Sequence, residues 1–425
     1  MVLTFPVRST EPSLAALVSP NVGSREPGLL LIKPSTGKTA YWDAVGSAIA
    51  EGLIQRSGVQ TSVPLAQGET ITYLCNAEPA GFVVATSSGT LWDVSVRDSE
   101  GRPNLSFVAM TNKGAWLSSL TSFIGTGHAR INIVAVKPGV RDGNSERREV
   151  YVATKRGLIE KWELARGGVY RYCGQGDIST QLHEKLAEQT SSISTISIVD
   201  IATVPSAFGS SEQLVILVSF DTSRYAIFPC QFTEHQPPRV LSGTVLPPTP
   251  PEYSSLRQAA SSQPQLHIPS PGRTAFIAYS RGLSIVSLPA DPSSSDWPYC
   301  DTISFRDDTP QLRIIASGQE DYTTDRTSNR KLRNPGMILV IQNAGVVRVE
   351  TFDAEIGNVR LLTSGPEWIQ SKIEQAVFYG ISAENPLDFK PRQDWNWKLH
   401  DVEKVTVKIS GEILSSSKPI LWRMN

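Results

Sequence analysis

The sequence predicts an all-β fold, and three observations support that prediction. The chain has 425 residues, which is too long for one ordinary compact core unless the fold is a large closed β architecture. Its 31 glycines and 29 prolines suit a chain with many turns. Pairs of apolar β-runs recur along it, and the turns between them supply glycine where a hairpin needs positive φ, as at Gly89, Gly157, Gly282 and Gly345.

The repeated unit is a hairpin of two β-runs around a tight turn. Six clear copies are present: GLLLIKPSTGKTAYWDAV (28–45), GFVVATSSGTLWDVSV (81–96), EVYVATKRGLIEKWEL (149–164), LVILVSFDTSRYAIF (214–228), TAFIAYSRGLSIVSL (274–288) and MILVIQNAGVVRVET (337–351). A weaker seventh copy is EQAVFYGISAENPLDF (374–389). The central copies start about 60–70 residues apart, which exceeds the roughly 40–45 residues of a WD40 blade and leaves room for further strands.

Further strands are predicted on both sides of the hairpins. ETITYLCNAEP (69–79) and ARINIVAVKPG (129–139) lead into the next hairpin, and PNLSFVAM (103–110) follows one. Four strands per unit, repeated about seven times, describe a seven-bladed β-propeller with short helical insertions, which we expect to occupy residues 1–400. Two β-sandwiches in tandem would also explain the length, but they do not explain the even spacing of one hairpin type.

Two helical segments and one proline-rich segment interrupt or follow this pattern. DISTQLHEKLAEQ (177–189) has its apolar residues on one stripe, with Asp177 placed to cap a helix. Residues 236–272 contain nine prolines and predict a surface loop, whose LPPTPP fragment suits either a long connection between blades or a polyproline ligand. Residues 401–425 begin with Val and Ile at helical spacing and predict a helix that leads into a following domain.

Composition and motifs argue against catalysis, metals and nucleic acid. The 40 basic and 41 acidic residues create no global field for nucleic acid or an anionic membrane. The four cysteines form no CxxC pair, so neither zinc nor a disulfide framework is expected. KPSTGKT (33–39) resembles a phosphate-binding loop, but Ile32 occupies the position of its first glycine. We therefore expect no enzyme activity, no cofactor, no metal and no small-molecule substrate, in a soluble protein without a membrane-spanning run.

One further insertion, at residues 112–126, combines large apolar residues with almost no charge. At about 100° per residue, five apolar side chains fall within an arc of about 120°. These five residues are Trp116, Leu117, Leu120, Phe123 and Ile124. Serine and threonine fill the other side, whereas a strand would mix serines and apolar residues on one face. The periodicity therefore predicts a short amphipathic helix.

Two surfaces are able to accept the apolar face of this helix. The first is the side or rim of the propeller itself. The second is a membrane interface, which ordinary surface helices hold with the Lys and Arg residues that this segment lacks. Attraction would then come from packing defects between lipids, which are more frequent on highly curved membranes. The residues alone leave both surfaces open.

The order of several motifs resembles that of a known family. The motifs are PGLLLIKPSTGKTAYWDAVGSA (27–48), LWDVSVRDSEGRP (91–103), the amphipathic insertion, GLIEKWEL (157–164), and IEQAVFYG, NPLDF and ISGEILSSSKPIL near the end. Together they resemble the amino-terminal domain of the 133-kDa nucleoporin family, which belongs to the Y-shaped scaffold complex of the nuclear pore.

The resemblance implies a non-catalytic, seven-bladed propeller in the nuclear pore complex at the nuclear envelope, with a structural role that supports nucleocytoplasmic transport and mRNA export. It implies a carboxyl-terminal α-helical solenoid, outside this chain, that contacts other Y-complex nucleoporins. It also implies an amphipathic lipid-packing sensor in a propeller loop. On that basis we expect membrane insertion by Trp116, Leu117, Leu120, Phe123 and Ile124. The alternative is a protein-interaction propeller that packs this helix on its blades and binds partners through blade edges or the proline-rich loop.

Overall fold

A computed structural model gives the fold. It describes residues 13–46, 58–111, 132–141, 145–190, 193, 195–205, 212–221, 224–232, 236–247, 263–289, 297, 300–306, 311–321, 323–324, 331–351, 366–379, 387–388 and 397–415. Within these ranges most elements are antiparallel strands, and they form six sheets of three to five strands and one two-stranded ribbon. The predicted all-β fold is confirmed for this part of the chain.

Three four-stranded sheets come first, and each takes its strands in chain order. The first sheet contains β1 (Leu14–Val18), β2 (Gly28–Ile32), β3 (Lys38–Trp42) and β4 (Val59–Ser62). The second contains β5 (Ile71–Asn76), β6 (Phe82–Thr86), β7 (Leu91–Arg97) and β8 (Pro103–Ala109). The third contains β9 (Ile133–Pro138), β10 (Arg147–Thr154), β11 (Leu158–Ala165) and β12 (Val169–Asp177). The first strands of consecutive sheets contact one another, β1 with β5 and β5 with β9, as in successive propeller blades.

The second sheet shows why the sequence forms these hairpins. The five residues of β6 read FVVAT and are all buried, which is the pattern of a strand covered on both faces. β7 pairs with β6 in antiparallel register, with Phe82 opposite Val94. The turn between the two strands holds Gly89 at φ +87°, a backbone conformation that favours glycine. The glycine predicted from the sequence is therefore required by the turn.

The remaining strands form less regular sheets. One sheet contains β13 (Ile196–Thr203), β14 (Glu212–Phe220), β15 (Arg224–Phe232) and β16 (Arg239–Val240), with β17 (Thr244–Val245) also paired to β15. Another contains β18 (Gln265–His267), β19 (Thr274–Tyr279), β20 (Gly282–Ser287) and β21 (Cys300–Phe305). A three-stranded sheet contains β22 (Ile314–Glu320), β25 (Gly336–Ile341) and β26 (Gly345–Glu350), and β23 (Thr323–Thr324) pairs with β24 (Lys331–Arg333). The last strand, β27 (Leu387–Asp388), pairs with β21.

Three helices are present in the described residues. α1 (Ser179–Ala187) buries Leu182 and Leu186, and the Ser179 N–H donates to Asp177 Oδ1 at 2.9 Å. The helix predicted at 177–189 is thus confirmed. α2 (Pro366–Tyr379) and α3 (Leu399–Ser415) pack against each other. Their shared apolar cluster contains Ile369, Ile373, Trp397, Val402, Val405, Ile409 and Ile413. The helix predicted from residue 401 onward is therefore present as α3.

The described residues fall into two compact units. The first unit comprises those of Met1–Thr203, Ser211–Ile216 and Cys230–Val240, and the second comprises those of Val204–Ser210, Leu217–Pro229 and Leu241–Asn425. In the first unit, one core cluster joins buried residues of the second and third sheets around Trp162, and another joins the first and second sheets around Tyr41 and Phe82. In the second unit, a core cluster joins β19–β21 to β22, β25 and β26 around Phe276 and Met337.

The prediction of a seventh hairpin over residues 374–389 is wrong for its first half. Residues 374–379 belong to α2, and in the remainder only β27 is a described strand. Ile369 and Ile373 lie four residues apart and share the helix face that packs on α3, so helical periodicity determines the structure here. The described sheets do not establish seven blades, and that number stays a prediction, as does a domain boundary at residue 400.

The proline-rich segment also differs from its prediction. Residues 236–272 are predicted as a surface loop, but their described parts contain β16, β17 and β18. These short strands bury Val240 and Leu266, and Leu246 is buried just after β17. Apolar residues between the prolines therefore pair with neighbouring strands instead of lying on the surface. The LPPTPP fragment falls mostly outside the described residues, so its proposed role as a ligand stays a prediction.

Candidate functional site

The candidate membrane site lies in the connection between β8 and β9. Its five predicted residues are Trp116, Leu117, Leu120, Phe123 and Ile124, and all of them lie outside the described residues. The structure does describe both ends of the connection, at Met110–Thr111 and at Asn132. What the structure shows of this site is therefore how the two ends of the connection are held.

The first end is held in the core by Met110. Its side chain is only 2% exposed and belongs to the core cluster that contains Trp162. Its N–H donates to the carbonyl oxygen of Leu91 at 2.9 Å, which extends the pairing of β7 and β8 by one residue. The chain thus leaves the sheet from a fully buried position.

Tyr170, on β12 of the third sheet, fixes the residues on either side of Met110. Its hydroxyl donates to the carbonyl oxygen of Ala109 at 3.0 Å and accepts the N–H of Thr111 at 3.2 Å. The Tyr170 ring packs against Trp162, with 6.0 Å between ring centroids. One side chain of the third sheet therefore clamps the point where the connection leaves the second sheet. The sequence did not single out Tyr170, because a contact across about sixty residues leaves no local signal.

The second end is fixed at Asn132, in the residue before β9. Asn132 has φ +73°, in the left-handed region that asparagine tolerates better than most residues. Its carbonyl oxygen accepts the N–H of Lys155 at 2.9 Å, in the turn between β10 and β11. The following residue, Ile133, is buried in the same cluster as Met110. Both ends of the connection are therefore anchored in one core.

The described residues show no competing chemical site. They contain no group of three or more His, Cys, Asp or Glu residues placed to hold a metal ion. Burial raises the pKa of the Cys75 and Cys230 thiols to about 12, so neither is a ready nucleophile. In KPSTGKT, the Gly37 N–H donates to the Lys33 carbonyl oxygen at 2.9 Å, and Gly37 has φ +66°. This segment is the hairpin turn between β2 and β3 that the sequence predicts.

No helix among the described residues combines the length and the apolar character that crossing a bilayer would require.

The sheets and their order define the protein as a β-propeller. The solved structure of the Vanderwaltozyma polyspora Nup133 β-propeller domain is similar, with a TM-score of 0.62 at 18% identity, over 82% of this chain and 84% of that chain. At this level of identity the likeness shows the fold alone, and it confirms the predicted propeller architecture.

A family model described as "Nup133 N terminal like" matches residues 2–348, and the chain belongs to this family of structural nucleoporins. Nucleoporin NUP133 of Chaetomium thermophilum is 30% identical over 460 residues, covering 96% of this chain and 33% of that protein. Nucleoporin nup132 of Schizosaccharomyces pombe is 24% identical over 426 residues, covering 97% and 35%. The chain thus spans about a third of the length of these curated relatives. The predicted family, its non-enzymatic character and the location at the nuclear pore complex are confirmed.

Proposed function

We propose that this domain is a scaffold element that contacts the curved pore membrane through the connection between β8 and β9. The observation that supports the proposal is the pattern at 112–126, where one apolar arc faces serine and threonine almost without charge. Such a face gains little from anionic headgroups and gains most where lipid packing exposes acyl chains.

The anchored ends suit this role. Met110 and Ile133 are buried in one core cluster, so an insertion between them is carried on a rigid base. Anchoring of this kind lowers the entropy that the connection loses when it inserts into a membrane. The helix itself is short, and its serine-rich face has modest helix propensity, so it depends on an apolar surface to fold. Membrane contact by one copy is therefore weak, and many copies in a ring would strengthen it.

The partners that we propose are other nucleoporins of the Y-shaped complex. In this proposal they are contacted mainly through a carboxyl-terminal solenoid outside this chain, and the propeller supports nucleocytoplasmic transport and mRNA export by holding the scaffold near the membrane. The support for this part is family membership, together with the fact that the matched relatives are about three times as long as this chain.

The test is flotation of the 425-residue chain with neutral phosphatidylcholine vesicles of graded size. We expect binding to small sonicated vesicles and little binding to large ones, with a weak dependence on salt. A Leu117→Asp/Leu120→Asp variant should abolish flotation without changing the thermal unfolding of the sheets. The matched control is Ser118→Asp/Ser122→Asp, which adds the same charge to the polar side of the predicted helix, opposite the apolar arc. This control should keep most of the binding.

Equal flotation of the wild-type chain and the Leu117→Asp/Leu120→Asp variant would overturn the proposal. The competing function is a protein-interaction propeller whose helix is packed on its blades. Hydrogen exchange separates the two, since strong amide protection at 113–124 without lipid is expected only for the packed helix.

A further inference from the structure

A small cavity in the first unit lies where the first three sheets meet. Its walls come from Ser19–Pro20 after β1, from 78–82 and 95–97 in the second sheet, and from Arg141 and Arg166–Gly167 in the third. Its volume is about 130 Å³. Pockets for drug-sized ligands measure roughly 300–1,000 Å³, so this cavity fits one small chemical group and not a whole cofactor.

Three arginines and one glutamate are the charged residues of its lining. Arg97 is held in place, because its guanidinium pairs with Asp43 at 2.7 Å and donates to the Ser19 carbonyl oxygen at 2.9 Å. Arg166 is 63% exposed and reaches Glu146 only at 3.9 Å. Arg141 makes no hydrogen bond or ion pair with any residue that the structure describes. Two of the three guanidinium groups are therefore available to a ligand.

The glutamate does not neutralise these two groups. The Glu78 carboxylate accepts the Ser19 N–H at 2.9 Å and the Ser19 hydroxyl at 2.9 Å, and it lies 3.3 Å from the Asn76 amide. These hydrogen bonds hold the Glu78 carboxylate against the wall of the cavity. Three positive charges minus one negative charge give the lining itself an excess of two. Outside the lining, Asp43 pairs with Arg97, and Glu146, which is 75% exposed, lies 3.9 Å from Arg166; with both carboxylates included the charges balance.

Arg148, on β10, does not line the cavity, but it interacts electrostatically with Arg141, which does. Its Nε and Nη1 atoms are buried and have no hydrogen-bond partner in the described structure. Burial, and in addition the positive charge of Arg141, lower the pKa of Arg148. The positive charges of Arg141 and Arg148 repel each other, and the structure describes no carboxylate paired with either, which is unfavourable for the buried atoms of Arg148. An anion bound in the cavity beside Arg141 would reduce the repulsion between the two guanidinium groups.

We propose that this cavity binds a phosphate group, carried either by a soluble phosphate compound or by a lipid headgroup. A phosphate monoester brings a charge of about −1.5 to −2 and three acceptor oxygens, whereas a carboxylate brings a single charge. The planar fork of arginine matches phosphate oxygens in a bidentate geometry. The cavity is distinct from the connection between β8 and β9, so phosphate binding does not depend on the membrane contact proposed above.

Calorimetry on the 425-residue chain tests the soluble source, with inorganic phosphate and inositol 1,4,5-trisphosphate as probes. We expect saturable binding that weakens as salt increases. An Arg141→Gln/Arg166→Gln variant should raise Kd by about tenfold or more. The matched control is Arg102→Gln/Arg147→Gln, which removes the same charge from residues that are 68% and 66% exposed and already paired with carboxylates. The control should change Kd by no more than about twofold.

Flotation tests the lipid source, with large phosphatidylcholine vesicles that do or do not contain phosphatidylinositol 4,5-bisphosphate. The Leu117→Asp/Leu120→Asp background is used for this arm, so that flotation does not report the amphipathic insertion. Binding only to vesicles that contain the phosphorylated lipid, with loss in the Arg141→Gln/Arg166→Gln variant, assigns the headgroup as the source. No binding of any probe, or equal losses in the test and control variants, overturns the proposal.

Arg148→Met provides a readout that a purely structural arginine would not give. Replacing an unpaired buried charge with an apolar side chain of similar length should leave the melting temperature unchanged or raise it. The same variant should bind the soluble probes more weakly. A lower melting temperature with unchanged affinity would show that Arg148 serves the packing of the sheets and does not contribute to phosphate binding.

Discussion

The two compact units differ in where along the chain the strands of each sheet come from. In the first unit, the sheets β1–β4, β5–β8 and β9–β12 each take four consecutive strands. In the second unit, the sheet that begins with β18 takes its last strand, β27, from beyond the three-stranded sheet and α2. Sheets built from consecutive strands produce a regular period in the sequence. A sheet that takes a strand from a later part of the chain does not. The difference explains why the repeat is clear early in the chain and weak near its end.

The units also differ in their cores. In the first unit, the cluster around Trp162 draws buried residues from two adjacent four-stranded sheets. In the second unit, part of the apolar surface is buried in a separate small cluster between α2 and α3, whose buried members among the described side chains are Ile369, Val405 and Ile409. A shared core couples sheets to each other, whereas a separate cluster permits local opening. Four substitutions test this contrast.

The largest expected effect is that of Trp162→Ala. Trp162 is fully buried and packs against Tyr170 and Tyr172, with 6.0 and 4.9 Å between ring centroids. Its loss should cost about 3–5 kcal/mol and reduce hydrogen-exchange protection throughout β5–β12. The matched change in the helical cluster, Ile409→Ala, should reduce protection only in α2 and α3. If Ile409→Ala also reduced protection in β5–β12, the helical cluster would not be independent of the first unit's core.

The next effect concerns a buried ion pair in the second unit. Lys372 on α2 donates to Asp301 on β21, and both side chains are 8% exposed. Lys372→Ala leaves a buried carboxylate without its cation and should lower the free energy of unfolding by about 3–5 kcal/mol. The double variant Lys372→Met/Asp301→Asn should recover most of that loss in denaturant unfolding. A double variant as unstable as the single one would show that the helix is held by packing and not by charge.

Asp93 is the counterpart of Asp301 in the first unit, because it is 1% exposed but has no paired cation among the residues that the structure describes. Burial raises its pKa to about 7, although the Val94 N–H partly offsets the shift. The folded state therefore keeps a proton that the unfolded chain releases near pH 4. Stability from this group is complete below pH 4 and is lost as pH rises towards 7, by about 4 kcal/mol in total.

Asp93→Asn should remove this pH dependence, so that wild type loses stability relative to the variant between about pH 4 and pH 7. Thermal unfolding at a series of pH values measures the difference. Asp98→Asn is the control of opposite sign, since the hydrogen bond from Arg102 lowers the pKa of the partly exposed Asp98. Parallel pH profiles for wild type and Asp93→Asn would show that Asp93 is paired or solvated in solution.

The smallest expected effect is that of Tyr170→Phe. This change keeps the ring on Trp162 but removes the hydroxyl that contacts Ala109 and Thr111. We expect a loss of about 1 kcal/mol, with faster amide exchange at Met110 and Thr111 than elsewhere in the second sheet. Tyr172→Phe is a matched control, because the Tyr172 hydroxyl contacts Gln175 on its own strand. Equal changes at Met110 in both variants would argue against the clamp.

The sequence predicted the hairpins better than it predicted the candidate site. Alternating or continuous apolar runs predicted six hairpins that the structure contains, because strand preferences act over a few residues. Gly89, Gly157 and Gly345 have positive φ as predicted, whereas Gly282 begins β20 and does not. The same local reasoning failed at 374–379, where the helix depends on packing against α3.

Contacts between residues far apart in the sequence left no local signal. The Tyr170 clamp joins residues 59 and 61 positions apart, and the arginine cavity assembles side chains from three sheets. Neither is visible as a motif, because each depends on register and on the order of the sheets. The apolar arc at 112–126 was visible, since its periodicity is local, but its contacts depend on surfaces outside that segment.

The pairing of β21 with β27 has a consequence for synthesis on the ribosome. Ser304 pairs with Asp388 and Phe305 with Leu387, so this sheet lacks its outer strand until more than eighty further residues have been made. The three four-stranded sheets of the first unit do not depend on a later part of the chain, because each is complete when its fourth strand has been made. During translation the nascent chain therefore carries finished sheets at its amino-terminal end and an exposed strand edge at β21, and a chain truncated before residue 387 would keep that edge open to other strands.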